Sequence, residues 1–255
     1  MASSASFYTL LCAVLLSTVL HCLFHFSCAE EYIKTRATFY GSPDCLGTAG
    51  GACGYGSFGR SLNGGDVAAV AQLYRNGTGC GACYQVRCTH PELCTESGAK
   101  IVVTDYGQGD RTDFILSSRG YAKLAHSDKI KELILMGVVE VEYKRIPCQY
   151  PGYNLMFKID DSSNVPDYLA LQFWYQAGEK DVLTVELCQE QSYEWKEMCR
   201  SHGAVWDVVT PPKGALSVRF LLSDGIHAPE WKIAPNVIPV NWQAGALYDS
   251  GFQLD

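Results

Sequence analysis

No Asp, Glu, Lys or Arg occurs among residues 1–29 of the 255-residue chain. A stretch without charge has no solvated face, and this one holds an apolar run over residues 10–20. Ser27-Cys28-Ala29 then supplies the small residues that a signal peptidase reads, so a secretory signal peptide over 1–29 is expected although the usual positive start is missing. His21 and His25 interrupt the run short of the ~20 apolar residues of a membrane span. No later segment could cross a membrane, and none is expected to touch one after cleavage. A surplus of positive charge is also absent. The formal net charge of −7 argues against a nucleic-acid partner, which calls for a basic face, and discourages binding to acidic polymers. A neutral polysaccharide remains compatible. No tandem repeat or low-complexity segment is present.

What the chain does contain is cysteine, glycine and alternating strands. Cleavage near Ala29 removes Cys12, Cys22 and Cys28 from the twelve cysteines. Export places the others in an oxidising compartment where disulfides are the default. Asn76-Gly77-Thr78 is a glycosylation sequon, consistent with export. Two prolines and a glycine in Ile146-Pro147-Cys148-Gln149-Tyr150-Pro151-Gly152 mark a connector, giving a first domain over 30–149 and a second over 152–255. In the first, residues 37–40 form a short strand with Thr38 and Tyr40 on one face. Asp66 caps a helix over 67–74, and Tyr84, Val86 and Cys88 alternate with polar residues. Residues 100–104 read as a strand buried on both faces and ending at Asp105. Ser118 caps a helix through Ala125, and a second helix over 128–136 stops at Gly137. Many strands, few helices and frequent glycine turns suggest a small closed barrel. The second domain reads as strands throughout. Leu155, Phe157 and Ile159, then Leu169, Leu171, Phe173 and Tyr175, then Leu183, Val185 and Leu187 alternate with polar partners, as do Leu216, Val218 and Phe220. That spacing suits a two-sheet sandwich, with Tyr168 and Trp174 together on the outer face.

Gly79-Cys80-Gly81-Ala82-Cys83 contains a C-x-x-C. With no second C-x-x-C and no nearby histidine, it favours structural disulfides over a metal or redox site, and neither metal nor cofactor is expected. The strings ATFYG (37–41), GGACGYG (50–56), NGTGCGACYQVRC (76–88), VVTD (102–105) and RIPC (145–148) follow one another in the order and spacing of plant expansins. The chain resembles the expansin-like branch of that family over its whole mature length, and most of all expansin-like B. The resemblance implies a mainly all-β fold, a six-stranded double-psi β-barrel akin to family-45 endoglucanases followed by an immunoglobulin-like β-sandwich that binds polysaccharide. It implies the pairs Cys53–Cys80, Cys83–Cys148 and Cys88–Cys94. Cys188 and Cys199 flank a hairpin turn and could pair, leaving Cys45 as a free thiol or an intermolecular partner.

Inverting glycosidases need two carboxyl groups about 6.5–9.5 Å apart. The related endoglucanases carry an aspartate base just after the first strand. Here that stretch is Tyr40-Gly41-Ser42-Pro43, and Asp44 is displaced. Expansins keep an acid in a His-Phe-Asp motif before Leu-Ser. Aligned on Leu116-Ser117, this chain reads Asp113-Phe114-Ile115, so Asp113 replaces the histidine and Ile115 the aspartate. Isoleucine can neither transfer a proton nor hydrogen-bond a glycosidic oxygen. By period two, Asp113 either reaches the groove or is a solvated aspartate in a polar loop. Asp105 matches the Thr-Asp that the family uses in its groove, with Thr38 and Tyr40 matching first-strand residues beside it. One carboxylate with a hydroxyl and a phenol can hold a sugar but cannot alone run two-carboxylate hydrolysis.

In the second domain, Tyr168 matches a family sugar-stacking aromatic, and Trp174 shares its face. Where the family shows Trp-Gly-x-x-Trp, this chain has His202-Gly203-Ala204-Val205-Trp206. Trp206 matches and also suits a sandwich core. These residues are expected to bind cellulose or a hemicellulose. The chain is expected to be a secreted, monomeric, non-hydrolytic plant cell-wall protein with no catalytic residue, loosening the wall by disrupting non-covalent glucan contacts. The alternatives are a weak endoglucanase using Asp105 and Asp113, and a pure glycan-binding module without loosening activity.

Overall fold

The computed structural model describes residues 32–109, 112–190, 192 and 194–255. The expected signal peptide lies outside them. The first strands alternate or run continuously apolar, and six of them close on one another. These are β1 (Ile33–Tyr40), β2 (Val67–Val70), β3 (Cys83–Cys88), β4 (Ala99–Tyr106), β5 (Phe114–Ser117) and β6 (Val139–Ile146). Their order around the barrel is β1-β5-β2-β4-β3-β6, and β6 returns to β1. β1 runs parallel to β5 and β2 parallel to β4, while the other neighbours are antiparallel. Phe114, Leu116, Val103, Ile101 and Val86 fill the interior.

Val-Ala-Ala-Val at 67–70 is β2, buried at every position, and not the expected helix. A four-residue apolar run carries no period that separates strand from helix, and here the barrel interior claims both faces. Asp66 is not a helix cap. It is buried and paired with Lys123 and Arg119. The turn Gln72–Gly77 that follows is a 3₁₀ segment. Three short α-helices are described: α1 (Gly56–Ser61), α2 (Ser118–Ala122) and α3 (Ile130–Met136). The α2 cap is Ser117, whose hydroxyl accepts from the Gly120 N–H, while Ser118 donates to the Tyr40 carbonyl. α3 ends at Gly137, as its sequence indicates.

Nine strands build the second domain: β7 (Met156–Ile159), β8 (Tyr168–Trp174), β9 (Asp181–Gln189), β10 (Lys196–Glu197), β11 (Cys199–His202), β12 (Val205–Val209), β13 (Leu216–Ser223), β14 (Glu230–Ile238) and β15 (Leu247–Asp249). They form two sheets, β10-β9-β13-β14 and β11-β12-β8-β7-β15. The core is the leucine-rich parity, with Leu155, Phe157, Ile159, Leu169, Leu171 and Phe173 facing Val185, Leu187, Val218 and Phe220. Leu183 departs from that pattern. A register shift opposite Leu221/Leu222 turns it outward and puts Val182 in its place.

Disulfides join Cys53 to Cys80, Cys83 to Cys148 and Cys88 to Cys94. Cys188 and Cys199 are not paired; with Cys45 they are free thiols. A hairpin does join β9 to β10, but Cys199 lies beyond it on the opposite sheet, and the Cys188 thiol donates to the Ser192 carbonyl at 3.0 Å.

The connector is held from both sides. Cys148 is bonded to the barrel through Cys83 and exchanges backbone hydrogen bonds with Gly178 of the sandwich at 2.9 and 3.1 Å. Asp181 accepts from Arg75 at 2.7 Å and Arg145 at 2.9 Å, both on the barrel. Gly77 and Gly203 meet backbone to backbone: a Cβ on Gly77 would stand 2.4 Å from the Gly203 carbonyl oxygen, so only glycine allows this approach.

Candidate functional site

Four strands of the barrel bring one residue each into a single cross-strand row. Thr38 on β1 is level with Ile115 on β5, Ile115 with Ala69 on β2, and Ala69 with Asp105 on β4. Residues level across a sheet share a face, so the row is Thr38–Ile115–Ala69–Asp105. Thr38 is half-buried and donates to the Gly137 carbonyl at 2.8 Å, tying β1 to the end of α3.

Asp105 closes the row. Its Oδ1 accepts from the Ala52 N–H at 2.6 Å and from the Tyr106 N–H at 2.8 Å. The loop over residues 51–54 is thereby fixed against β4. Tyr40, two residues beyond Thr38 on the same face, lies within the field of Asp105. Burial and then that negative charge push its phenol up to about 12, so Tyr40 is a hydrogen-bonding hydroxyl at any physiological pH. Tyr74 and Tyr106 pack on each other, with ring centroids 5.3 Å apart and planes tilted by 58°. Tyr106 is level with Val70 and stands on the face of β4 opposite Asp105, while Tyr74 lies within the field of Asp105. The Tyr74 hydroxyl donates to the Ala52 carbonyl at 3.2 Å, and Tyr106 is 49% exposed. Neither tyrosine stood out in the sequence. The available signal was that Tyr106 directly follows Asp105 and that Tyr74 ends the helix expected over 67–74.

Asp113 is drawn out of this row. Its carboxylate accepts from the Thr35 hydroxyl, and its N–H donates to the Arg36 carbonyl at 3.2 Å. Thr35 is three residues from Thr38, so it lies on the opposite face of β1. Asp113 is thus neither a groove residue nor a freely solvated one. Two apolar side chains, Ile115 and Ala69, occupy the places between Thr38 and Asp105.

The sandwich continues from the barrel loop. His202 ends β11, and its Nε2 lies 3.0 Å from where a Cβ on Gly54 would stand. Nearby, burial raises the pKa of Asp160, but hydrogen bonds from Ser162 outweigh that and hold it below the usual carboxylate range. Beside it, the Tyr168 hydroxyl donates to Asp207 Oδ2 at 2.8 Å. Burial, then that bond, push Tyr168 up to about 12. His202 thus meets the 51–54 loop that Asp105 holds, and Tyr168 is fixed to Asp207 on the neighbouring strand β12.

Two tryptophans expected on this surface serve elsewhere. Trp206 is 4% exposed, packs in the sandwich core and carries the Arg200 guanidinium 4.2 Å over its ring. It offers no face to a ligand. Trp174 does lie on the outer face, but Phe58 of α1 stacks on it with centroids 3.9 Å apart and planes 7° apart. Its indole N–H donates to Gln172 Oε1, and Gln172 in turn donates to the Gly54 carbonyl at 2.8 Å. The outer face of β8 is where the two domains dock.

A six-stranded double-psi barrel joined to a two-sheet β-sandwich is the two-domain architecture of expansins. The family comparisons agree. A model described as the expansin C-terminal domain matches residues 155–239, and a double-psi barrel model described as lytic transglycolase matches 66–143. The chain is 49% identical to expansin-like B1 of Oryza sativa subsp. japonica over 229 residues, covering 88% of this chain and 89% of the relative. It is 50% identical to expansin-like B1 of Arabidopsis thaliana, covering 89% and 90%. With expansin-like A2 of Arabidopsis thaliana the identity is 38%, covering 89% and 86%. Among solved structures, the apo expansin of Clavibacter michiganensis superposes with a TM-score of 0.63 at 18% identity, covering 88% of this chain and 98% of that one. A mutant of the same expansin in complex with cellohexaose gives 0.61 at 17%, covering 85% and 96%. At those identities the structural likeness establishes the fold. The chain belongs to the expansin family, in its expansin-like branch.

Proposed function

We propose that the protein binds a neutral cell-wall glucan along the line from Thr38, Tyr40 and Asp105 to His202 and Tyr168, without cutting it. The observation that carries this reading is Ile115, an aliphatic side chain in the middle of the row. The only carboxylate of the row is Asp105, and Asp113 is turned to Thr35. Tyr74 supplies an aromatic ring beside Asp105 for stacking a sugar, while Asp105, Tyr40 and Thr38 supply hydrogen bonds. A relative of the same fold is described in complex with cellohexaose, which favours a β-glucan as ligand here. Secretion to the wall follows from the charge-free N-terminal segment and from family membership. Among the described residues no helix is long and apolar enough to cross a membrane. Loosening of the wall is read as disruption of non-covalent contacts between glucan chains.

One preparation tests all of this. It is mixed with insoluble wall glucan, assayed for reducing ends on soluble glucan, and applied to a clamped, heat-inactivated wall strip. Depletion from solution with no reducing ends is the expected result. Reducing ends that vanish in Asp105→Asn would establish an endoglucanase instead. Depletion without extension of the strip would leave a binding module that does not loosen, a reading favoured by the loss of a hydrogen-bonding group at Ile115.

A further inference from the structure

The sequon Asn76-Gly77-Thr78 lies where the groove wall meets the domain seam. Asn76 is exposed and adopts the left-handed conformation, φ 53° and ψ 36°, at the end of the 3₁₀ segment that carries Tyr74. Its side-chain amide makes no hydrogen bond among the described residues. The neighbours on either side are committed. Arg75 pairs with Asp181 of the sandwich at 2.7 Å. Gly77 is buried against Gly203, and its carbonyl accepts from Arg200 at 3.4 Å. Two residues back, Tyr74 bonds Ala52 and packs on Tyr106. The backbone around Asn76 is pinned at both ends, while its amide points to no partner. That is the situation of an acceptor whose nitrogen can carry a bulky group without disturbing the fold.

We propose that Asn76 carries an N-linked glycan, and that this glycan stands beside Tyr74 and narrows access to the groove. The side-chain amide nitrogen of Asn76 bonds to C1 of the first N-acetylglucosamine, the C1–O bond to the lipid pyrophosphate breaks, and the amide gives up one proton while the lipid pyrophosphate leaves. The tether then holds a hydrophilic, branched chain next to Tyr74. A single soluble glucan chain can pass it, at a cost; a chain bundled with others meets it sooner. The part of this inference that concerns access rests on the groove reading above.

The test uses the full chain secreted from cultured plant cells. Treatment with peptide N-glycosidase is expected to lower its mass by a glycan and to convert residue 76 from Asn to Asp. The variant Asn76→Asp keeps the left-handed tendency of the position and should show no glycan at that site. An unmodified Asn76 in the secreted protein overturns the proposal. On soluble β-glucan, the enzyme-treated protein and Asn76→Asp should both bind tighter than the glycosylated form, by about threefold, or roughly 0.7 kcal/mol. Equal affinity in all three forms overturns the claim on access. The same measurement on Tyr40→Ala separates the two readings. Binding that survives that substitution removes the groove, while the mass result on Asn76 stands by itself.

Discussion

Phe58 on α1 and Trp174 on β8 stack nearly parallel, 3.9 Å between centroids, and join the barrel to the sandwich. Tyr175 adds an edge contact to Phe58 at 5.0 Å, and Tyr150 of the connector packs on Tyr175 at 5.6 Å. An aromatic cluster of this kind, with the Gln172–Gly54 bond and the Asp181 ion pairs around it, fixes the barrel against the sandwich. The proposed binding line across both domains depends on that docking.

Trp174→Ala follows directly. A fully buried Trp→Ala costs about 3–5 kcal/mol; Trp174 is half-buried, so a loss of about 2–3 kcal/mol is expected in urea unfolding. Soluble oligosaccharide that spans only the barrel row should bind nearly as before, while longer chains that reach Tyr168 should bind more weakly. Equal loss for short and long chains would mean that Trp174 touches sugar directly.

Tyr40 and Asp105 give a pH signature. A phenol whose folded pKa lies above its unfolded value favours the folded state below pH 10, and that stabilisation drains away as pH rises from about 10 to about 12. Tyr40, Tyr121 and Tyr168 all sit at about 12. Tyrosinate absorbance should therefore show a late-titrating class, and stability should fall across that window. Asp105→Asn removes the charge next to Tyr40 but not its burial, which is the larger cause. Tyr40 should then titrate earlier than in the parent, yet still later than a free phenol, and Tyr74, whose phenol is likewise raised by burial and then by Asp105, should move the same way. An unchanged titration would place Asp105 outside the reach of Tyr40.

Much of this architecture is legible in residue order alone, because alternation and cysteine-glycine spacing report which side of a strand is apolar and where the chain turns. Leu169, Leu171 and Phe173 enter the core as their parity indicates. What parity does not report is the identity of whatever covers the other side. Trp174 is on the outer face, as expected, and is then covered by Phe58 from a segment more than a hundred residues away. Ile115 was readable as a missing donor, but its place beside Thr38 and Ala69 depends on a parallel pairing of β1 with β5 that no local signal specifies. Asp113 goes to Thr35 for the same reason. A period-two argument places it on a strand face, whereas the residue precedes β5 and is not bound by that strand's geometry.

The Cys83–Cys148 bond closes a loop with a sequence separation of 65, against 6 for Cys88–Cys94. In the chain-entropy account the longer loop contributes about 4 kcal/mol and the shorter about 2 kcal/mol. Cys83→Ser with Cys148→Ser should thus cost about twice as much in urea unfolding as Cys88→Ser with Cys94→Ser. It should also loosen the Cys148–Gly178 pairing, read as faster amide exchange at both residues. Equal costs would show that strain or residual structure in the unfolded chain outweighs loop closure here.

Ile115→Asp asks whether the row lacks only a donor. Ile115 and Asp105 are separated by one intervening strand, so their Cα atoms stand about 9–10 Å apart at ordinary strand spacing. A carboxylate at 115 would join Asp105 on one floor, beneath the same side of a bound chain. Inverting hydrolysis needs the acid on one side of the sugar and a base that activates water on the other. Two groups on one floor do not meet that demand. The expected outcome is greater extension of a heat-inactivated wall strip with no reducing ends released from soluble glucan. A half-exposed position makes the substitution tolerable, at about 1 kcal/mol of stability. Extension equal to that of the parent would show that the aliphatic side chain is not what limits loosening. Released reducing ends would show that the groove lacked only an acid, and the non-hydrolytic reading of Asp105 would have to be given up.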